Sequence, residues 1–144
     1  MEKDTVQAKG YLTIRLYDKD GNLKQTETAN TVTTSGKNGI ADQILASPSL
    51  AKPTHMALGT GSPAANALGA EVSPRAVFTS KTRANAVVTV VGDFAAGSNT
   101  GALTEAGWFD QLAAGGQMWC SASFAVVNKL ASDVLQIQWT LQIS

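Results

Sequence analysis

Alternation of apolar and polar residues with a period of two marks both ends of the chain. In residues 11–17, the apolar side chains of Leu12, Ile14 and Leu16 fall on one face and more polar side chains fall on the other. Residues 135–143 repeat the pattern, with apolar residues separated by three glutamines and a threonine. Because a strand with one buried face has this period, both segments are predicted to be half-buried strands.

The segment after the first strand predicts a tight hairpin. Residues 18–22 read Asp-Lys-Asp-Gly-Asn, and an Asp-Gly pair supplies the positive backbone φ that a tight turn needs. Residues 23–28 are largely polar. We therefore expect a return strand at the edge of a sheet, where much of the strand meets water.

Further segments with strand character lie between the two ends. Residues 86–94 are rich in valine and apolar on both faces, which predicts a central strand. Residues 117–127 alternate, and residues 128–133 form a short link to the last strand, so we expect these two strands to pair antiparallel. The expected apolar face of residues 117–127 comprises Met118, Cys120, Ala122, Phe124 and Val126. Shorter candidates at residues 54–58, 76–80 and 103–109 bring the total to about eight strands.

One segment, residues 35–46, has helical character. Ile40 and Ile44 are four residues apart with Leu45 beside them, and Pro48 stops the helix soon after. We expect this helix to plug one end of a β-structure. Small-residue loops at residues 59–66 and 95–101 separate the strands. Many short strands with Gly, Pro and Asn turns predict an all-β fold, a jelly-roll-like antiparallel β-sandwich over residues 10–144 preceded by a polar N-terminal arm at residues 1–9.

Composition narrows the possible functions. The 144 residues include 11 Lys and Arg and 11 Asp and Glu, which gives a formal net charge of zero. Without net positive charge, the chain lacks the phosphate attraction on which general nucleic-acid binding depends, and we expect no nucleic-acid partner. No window is apolar enough for a membrane span, and the first residues are polar with mixed charge, so we expect neither a membrane partner nor a secretory signal. Near-neutrality also leaves little repulsion between copies or against a large partner.

The candidate chemical residues are few. Cys120 is the single cysteine, so it forms no internal disulfide; we expect it to be buried and the chain to fold in a reducing compartment such as a cytoplasm. His55 is the single histidine, which excludes a paired-histidine metal site within one chain. The carboxylates Asp93, Glu105 and Asp110 are scattered, and Glu105 is expected to be a hydrogen-bonded loop carboxylate. We therefore predict no catalytic, cofactor-binding or metal-binding residues, with a cryptic site around His55 and Glu105 as the enzymatic alternative.

Three tryptophans stand out among few aromatic residues. Trp139 belongs to the apolar set of the last strand and is predicted to lie in the core. Trp119 is out of phase with its neighbours, so it either anchors a partner or packs beneath a loop. Trp108 lies in a segment without clear alternation. An exposed platform using Trp119 or Tyr11 would favour a carbohydrate-binding β-sandwich, which remains an alternative.

Several short sequence segments, taken in order, resemble those of a known group of proteins. They are Asn30-Thr31-Val32-Thr33, Gly39-Ile40-Ala41, Met56-Ala57-Leu58-Gly59-Thr60-Gly61, Leu68, Glu71 with Arg75, Glu105-Ala106-Gly107-Trp108-Phe109, and the strands that hold Phe124 and Trp139. In this order and spacing, from Asn30 to the C-terminus, the chain resembles small structural proteins of tailed-bacteriophage virions.

The resemblance implies a non-enzymatic virion component and brings no catalytic residue. A jelly-roll-like decoration, or cement, protein fits the size best: it would bind the outside of the major capsid protein shell and stabilise it. A tail, baseplate or tail-fibre accessory protein is the alternative. As a cement protein, the chain is expected to sit on the capsid exterior as a dimer or trimer, with the polar arm and the small-residue loops as contacts.

Overall fold

The computed structural model describes residues 7–29 and 34–144, with the main chain alone described at residues 34 and 35. Eight strands and one helix lie within these ranges. In chain order they are β1 (Ala8–Tyr17), β2 (Leu23–Ala29), α1 (Thr34–Asp42), β3 (His55–Gly59), β4 (Glu71–Ala84), β5 (Val87–Phe94), β6 (Gly101–Phe109), β7 (Met118–Lys129) and β8 (Val134–Ile143). The predicted all-β antiparallel class, with about eight strands and a short helix, is confirmed.

All the strand pairs are antiparallel, in the order β2-β1-β8-β5-β4-β3-β6-β7. The long strand β4 belongs to two sheets: its second half pairs with β5 and its first half with β3. We call the first sheet, from β2 to β4, sheet A and the second, from β4 to β7, sheet B. The outer strands β2 and β7 also meet, since the Gln25 side-chain amide donates to the carbonyl oxygen of Val126 at 2.9 Å. The result is a sandwich that is nearly closed into a barrel.

The main core lies between the two sheets and is built by the alternating faces of the strands. Leu12, Ile14 and Leu16 of β1 are each 1% exposed, as their alternation predicts. Trp108 stacks edge-on against both Phe78 and Trp139 at centroid distances of 5.6 Å. Both tryptophans are buried, and so are Cys120 and the inward-facing residues of β8. The predictions for the two end strands, for Trp139 and for the burial of Cys120 are therefore confirmed.

The expected pairing of β7 with β8 is wrong. β7 pairs with β6 in sheet B, whereas β8 lies between β1 and β5 in sheet A. The short link at residues 130–133 crosses from one sheet to the other instead of closing a hairpin. Link length alone does not distinguish these two geometries, because either one needs only a few residues.

The expected single apolar face of β7 is also wrong, because the strand contains irregularities. Phe109 pairs with Met118 and Trp108 pairs with Cys120, which leaves Trp119 as an extra residue, a β-bulge. Met118 consequently joins a second cluster on the outside of sheet B, while Cys120 faces the main core. A second shift in the pairing register, between Leu103 and Glu105 of β6, buries Val127 and leaves Val126 47% exposed.

Helix α1 is shorter than expected and is held by Trp119. It ends at Asp42, so Ile44 (84% exposed) and Leu45 (59%) lie beyond it, and the helical spacing of Ile40 and Ile44 does not produce one buried face. Trp119 is 4% exposed and packs beneath the helix. A Cβ on Gly36 would collide with the main chain of Trp119, and one on Gly39 would lie 2.5 Å from its ring. Close approach of the helix to β7 therefore requires glycine at both positions.

The expected arm at residues 1–9 is partly strand. β1 begins at Ala8, and Gln7 and Ser144 exchange main-chain hydrogen bonds at 2.7 and 2.8 Å. The rest of the arm, residues 1–6, lies outside the described residues, as does the Asn30 to Thr33 block of the resemblance.

Candidate functional site

Two loops without regular structure cover the outer face of sheet B. They are residues 60–70, between β3 and β4, and residues 110–117, between β6 and β7; together we call them the loop layer. Leu68 (8% exposed) is the apolar centre of the layer, where it packs with Ala57, Phe109 and Met118 in a cluster separate from the main core. The loops are therefore packed onto the sheet instead of projecting from it.

Glu105 fixes the first loop from beneath. It lies on β6, opposite Gly59 of β3, and is fully buried. Its carboxylate accepts hydrogen bonds from the main-chain N–H groups of Gly69 at 2.7 Å and of Gly61 and Ala70 at 2.8 Å. One buried negative charge thus joins both ends of the 60–70 loop to β6. The expectation of a hydrogen-bonded carboxylate is confirmed, although Glu105 lies on a strand that bonds a loop and not in a loop itself.

Gly59 leaves the room that this contact requires. A Cβ at Gly59 would lie 2.5 Å from an oxygen of Glu105 and 2.6 Å from the carbonyl oxygen of Ala70. Beside it, the Thr104 hydroxyl donates to the carbonyl oxygen of Gly61 at 2.7 Å. The Gly59-Thr60-Gly61 block therefore serves the close packing of this loop against β6.

Arg75 fixes the second loop in a similar way. It is 5% exposed, and its guanidinium group donates to both carboxylate oxygens of Glu71 at 2.7 and 2.9 Å. The same group donates to the carbonyl oxygens of Gln111 at 3.0 Å and Gly115 at 2.9 Å. It also lies over the Phe109 ring, 3.7 Å from the ring centroid. A single planar cation thus connects β4, β6 and the 110–117 loop, which a flexible ammonium group would not do as well.

The two loops are also bonded to each other. The side-chain amide of Asn66 donates to the carbonyl oxygen of Gly116 at 3.4 Å, and its oxygen accepts the first N–H of β7 at 2.9 Å. Asp110 is the one charged residue within the loop layer, and its carboxylate accepts the N–H of Gln117 at 2.9 Å. Leu112 remains 60% exposed at the surface. The layer is therefore a firmly held surface of small, almost uncharged residues.

A second group of buried charges lies where β7 crosses to β8. Lys129 is 2% exposed and donates to the carbonyl oxygens of Ala95 at 3.0 Å and Ser98 at 2.6 Å. Asp133 is 1% exposed and accepts hydrogen bonds from Lys24 at 2.8 Å and from the Leu130 N–H at 2.9 Å. These contacts hold the 95–98 turn, the crossing link and the edge strand β2 together.

The pKa values of this group follow from its contacts. The hydrogen bond from Lys24, followed by the one from the Leu130 N–H, lowers the pKa of Asp133. Burial lowers the pKa of Lys129, and the nearby Asp133 charge opposes that change. Both groups thus act as structural charges that join loops to the sheets.

The structure does not bring His55 and Glu105 together. His55 pairs with Phe109 and Glu105 pairs with Gly59, so the two residues lie roughly 13 Å apart along neighbouring strands. His55 shares a hydrogen bond with the Thr54 hydroxyl at 2.8 Å, and burial, together with the Arg75 charge, lowers its pKa. Because the Glu105 oxygens are occupied by main-chain donors, these two residues do not form an acid–base pair.

The remaining candidates lie apart from the loop layer. Asp93 accepts hydrogen bonds from Thr79 at 2.6 Å and Gln136 at 3.1 Å on sheet A. Burial raises the pKa of the Cys120 thiol. Because Trp119 is buried beneath α1, it does not share an exposed aromatic platform with Tyr11, which is 43% exposed. Of its two expected roles, packing beneath a covering segment is the one observed, although that segment is a helix.

Sequence reasoning missed the roles of Arg75, Lys129 and Asp133. The sequence does mark Lys129 as unusual, because it is the one basic residue after Arg83 and lies in a largely apolar strand. The resemblance alone points to Arg75 and Glu71.

Among residues 7–29 and 34–144, no group of three His, Cys, Asp or Glu residues is placed to hold a metal ion. No helix in this part of the chain has the length and apolar character needed to cross a membrane.

Comparison of the chain with protein-family models, with curated proteins and with solved structures finds no match.

Proposed function

We propose that this chain is a non-enzymatic structural protein of a tailed-bacteriophage virion, a decoration protein that binds the outside of the major capsid protein shell. The observation that carries the proposal is the loop layer, in which two irregular loops are held from beneath by buried Glu105 and Arg75. In this proposal the layer is the surface that contacts the shell.

The blocks that carry the resemblance support this assignment because they build the loop layer. Gly59-Thr60-Gly61 and Leu68 form the first loop and its base. Glu71 and Arg75 hold the second loop, and the block from Glu105 to Phe109 supplies the strand under both. A set of residues devoted to fixing loops is typical of a recognition surface on a rigid scaffold.

The physical character of the loop layer suits docking onto a protein lattice. Binding costs less conformational entropy when the contacting loops are already ordered. The centres of protein interfaces are also depleted in charged residues, and the layer carries a single one, Asp110. Each contact with the shell can be weak, because many copies bind a symmetric lattice and neighbouring copies reinforce one another.

The proposal is tested by adding the purified protein to capsids that lack it and measuring occupancy by cryo-electron microscopy. Leu112→Asp places a charge on the exposed loop layer, and we expect at least a tenfold loss of affinity, equivalent to about 1.4 kcal/mol. Leu23→Asp, on the exposed edge strand β2, is the matched control and should bind normally. Equal binding by both variants, or no binding by the wild type, would contradict the proposal. Binding to tails or baseplates instead would support the accessory-protein alternative.

A further inference from the structure

A surface cavity of about 710 Å³ lies away from the loop layer, between α1, the segment before β3 and the hairpin that joins β4 to β5. Its apolar wall is formed by Ile40, Pro53, Val88, Trp108, Trp119 and Leu141. Trp108 is 1% exposed, and its indole N–H has no acceptor among the residues that the structure describes. The cavity is thus an apolar pocket whose wall includes the buried Trp108.

The rim of the cavity is positively charged. Lys52, Lys81 and Arg83 contribute to the lining, and none of the described lining residues is acidic. Lys81 and Arg83 are two residues apart on β4, so their Cα atoms lie roughly 7 Å apart on one face of the strand. The Lys81 ammonium donates to the carbonyl oxygen of Pro53 at 3.0 Å, and the Arg83 guanidinium donates to that of Asn85 at 2.8 Å, so each cation keeps further donors for a ligand. Partial burial and the neighbouring Lys52 charge lower the pKa of Lys81. Like charges are therefore held close together beside an apolar pocket, in a protein whose net charge is zero.

We infer that this cavity binds a short acidic segment of a partner protein, with one aromatic or aliphatic side chain in the pocket and flanking carboxylates on Lys52, Lys81 and Arg83. Three separated cations match several carboxylates along a peptide better than the single carboxylate of a fatty acid. The cavity is also open to solvent, whereas small apolar ligands are usually enclosed. Within the proposed function, the segment would belong to the shell protein, and to that extent the inference rests on that function.

The test uses the full chain and capped synthetic pentapeptides, without capsids. The probe peptide has phenylalanine between two pairs of aspartates; one control replaces phenylalanine with serine and another replaces all the aspartates with lysines. Binding is measured at low salt by calorimetry and by amide chemical shifts. We expect saturable one-to-one binding of the probe alone, with shifts concentrated around Val88 and Trp108.

Variants of the rim test the charge requirement. Lys52→Gln and Arg83→Gln should each weaken probe binding about threefold, as expected for partly exposed charge pairs, and the double variant about tenfold. Lys19→Gln, which removes an exposed charge in the β1–β2 turn, is the matched control and should leave binding unchanged. The amide spectra of all variants are compared first, so that loss of folding is not mistaken for loss of binding.

Three results would overturn the inference: no saturable binding of the probe, equal binding of the lysine control peptide, or probe binding that the double variant does not weaken. Saturable binding of dodecanoate without binding of the probe would also overturn it, in favour of a fatty-acid site. Because no capsid is present, failure here leaves the shell-binding proposal intact. Conversely, peptide binding by a chain that does not attach to capsids would leave this inference standing and contradict the proposed function.

Discussion

Buried charged residues in this protein bond mainly to the main chain of loops. Glu105 bonds three N–H groups of one loop, Arg75 bonds two carbonyl groups of another, and Lys129 bonds two carbonyl groups of a turn. Irregular loops lack the hydrogen-bond ladder of a sheet, so their buried polar groups need other partners. A single charged side chain meets several of these needs at once, because charge-assisted hydrogen bonds are stronger than neutral ones.

Replacement of Glu105 should destabilise the protein strongly. Glu105→Ala leaves three main-chain donors without their acceptor, and we expect the free energy of unfolding to fall by about 3 kcal/mol or more. Glu105→Gln keeps the shape but loses the charge and one acceptor oxygen, so the expected loss is smaller, about 1–3 kcal/mol. Urea unfolding monitored by tryptophan fluorescence measures both values. Asp20→Asn, in the exposed β1–β2 turn, is the control, and a Glu105→Ala variant as stable as this control would contradict the assigned role.

Protonation of Asp133 should make the protein less stable in acid. Its pKa is lower in the folded state than in the unfolded chain, chiefly because of the hydrogen bond from Lys24. The stability that it contributes is therefore fully present above its unfolded pKa, about 3.9, and is lost as the pH falls through the lower folded value. The difference in unfolding free energy between wild type and Asp133→Asn should accordingly shrink from pH 6 towards pH 3, as measured by urea unfolding across that range. A difference that stays constant over this range would show that the charge of Asp133 is not the cause.

The roles of these residues depend on contacts that the sequence does not contain locally. Glu105 meets its loop donors 35 to 44 positions away, and Arg75 meets the carbonyl groups of residues 36 and 40 positions away. The composition and spacing around Glu105 predicted a hydrogen-bonded carboxylate, yet they did not indicate which groups it would bond. Which distant segments lie side by side can be read only from the three-dimensional structure.

At the scale of elements, alternation correctly predicted the buried faces of the regular strands, but it did not predict the buried face of β7, which contains bulges. β1 and β8 pair residue by residue over ten positions, and their predicted faces are the observed ones. β7 departs from a strict period of two at Trp119 and again before Val127, so its predicted face fails at both places. A bulge depends on how the partner strand is packed, and a single strand's pattern carries no information about that. The predicted helix was also too long. Ile44 and Leu45 follow Asp42 at helical spacing, but they lie exposed beyond the end of α1, so the spacing alone did not show where the helix stops.

The Arg75 contacts predict that the 110–117 loop can be loosened separately from the sheets. Arg75→Met keeps the apolar length of the side chain but leaves the Glu71 carboxylate and two loop carbonyl groups without their donor. We expect amide hydrogen exchange in residues 111–117 to accelerate by at least tenfold, with a loss of about 3 kcal/mol in unfolding free energy. Arg83→Gln, at the end of β4, is the control and should leave exchange in this loop unchanged. Unaltered exchange in the loop of Arg75→Met would contradict the idea that Arg75 holds it.

At the scale of the whole molecule, charge is distributed unevenly over the surface that the structure describes. Three cations line the cavity beside α1, whereas the loop layer carries only Asp110. Composition alone predicted weak repulsion between copies, but it did not predict that one surface would be almost free of charge. In the two proposals above, the firmly held, almost uncharged loop layer and the separate basic cavity are two distinct places for contact with partners.

The location and copy number of the protein in purified virions test the central proposal most directly. Quantitative mass spectrometry counts its copies relative to the major capsid protein, and cryo-electron microscopy locates them. A decoration protein is expected at hundreds of copies per particle, on the outside of the shell and around local symmetry axes, with the loop layer facing the capsid protein. A handful of copies confined to the tail or baseplate, or absence from the particle, would contradict the account.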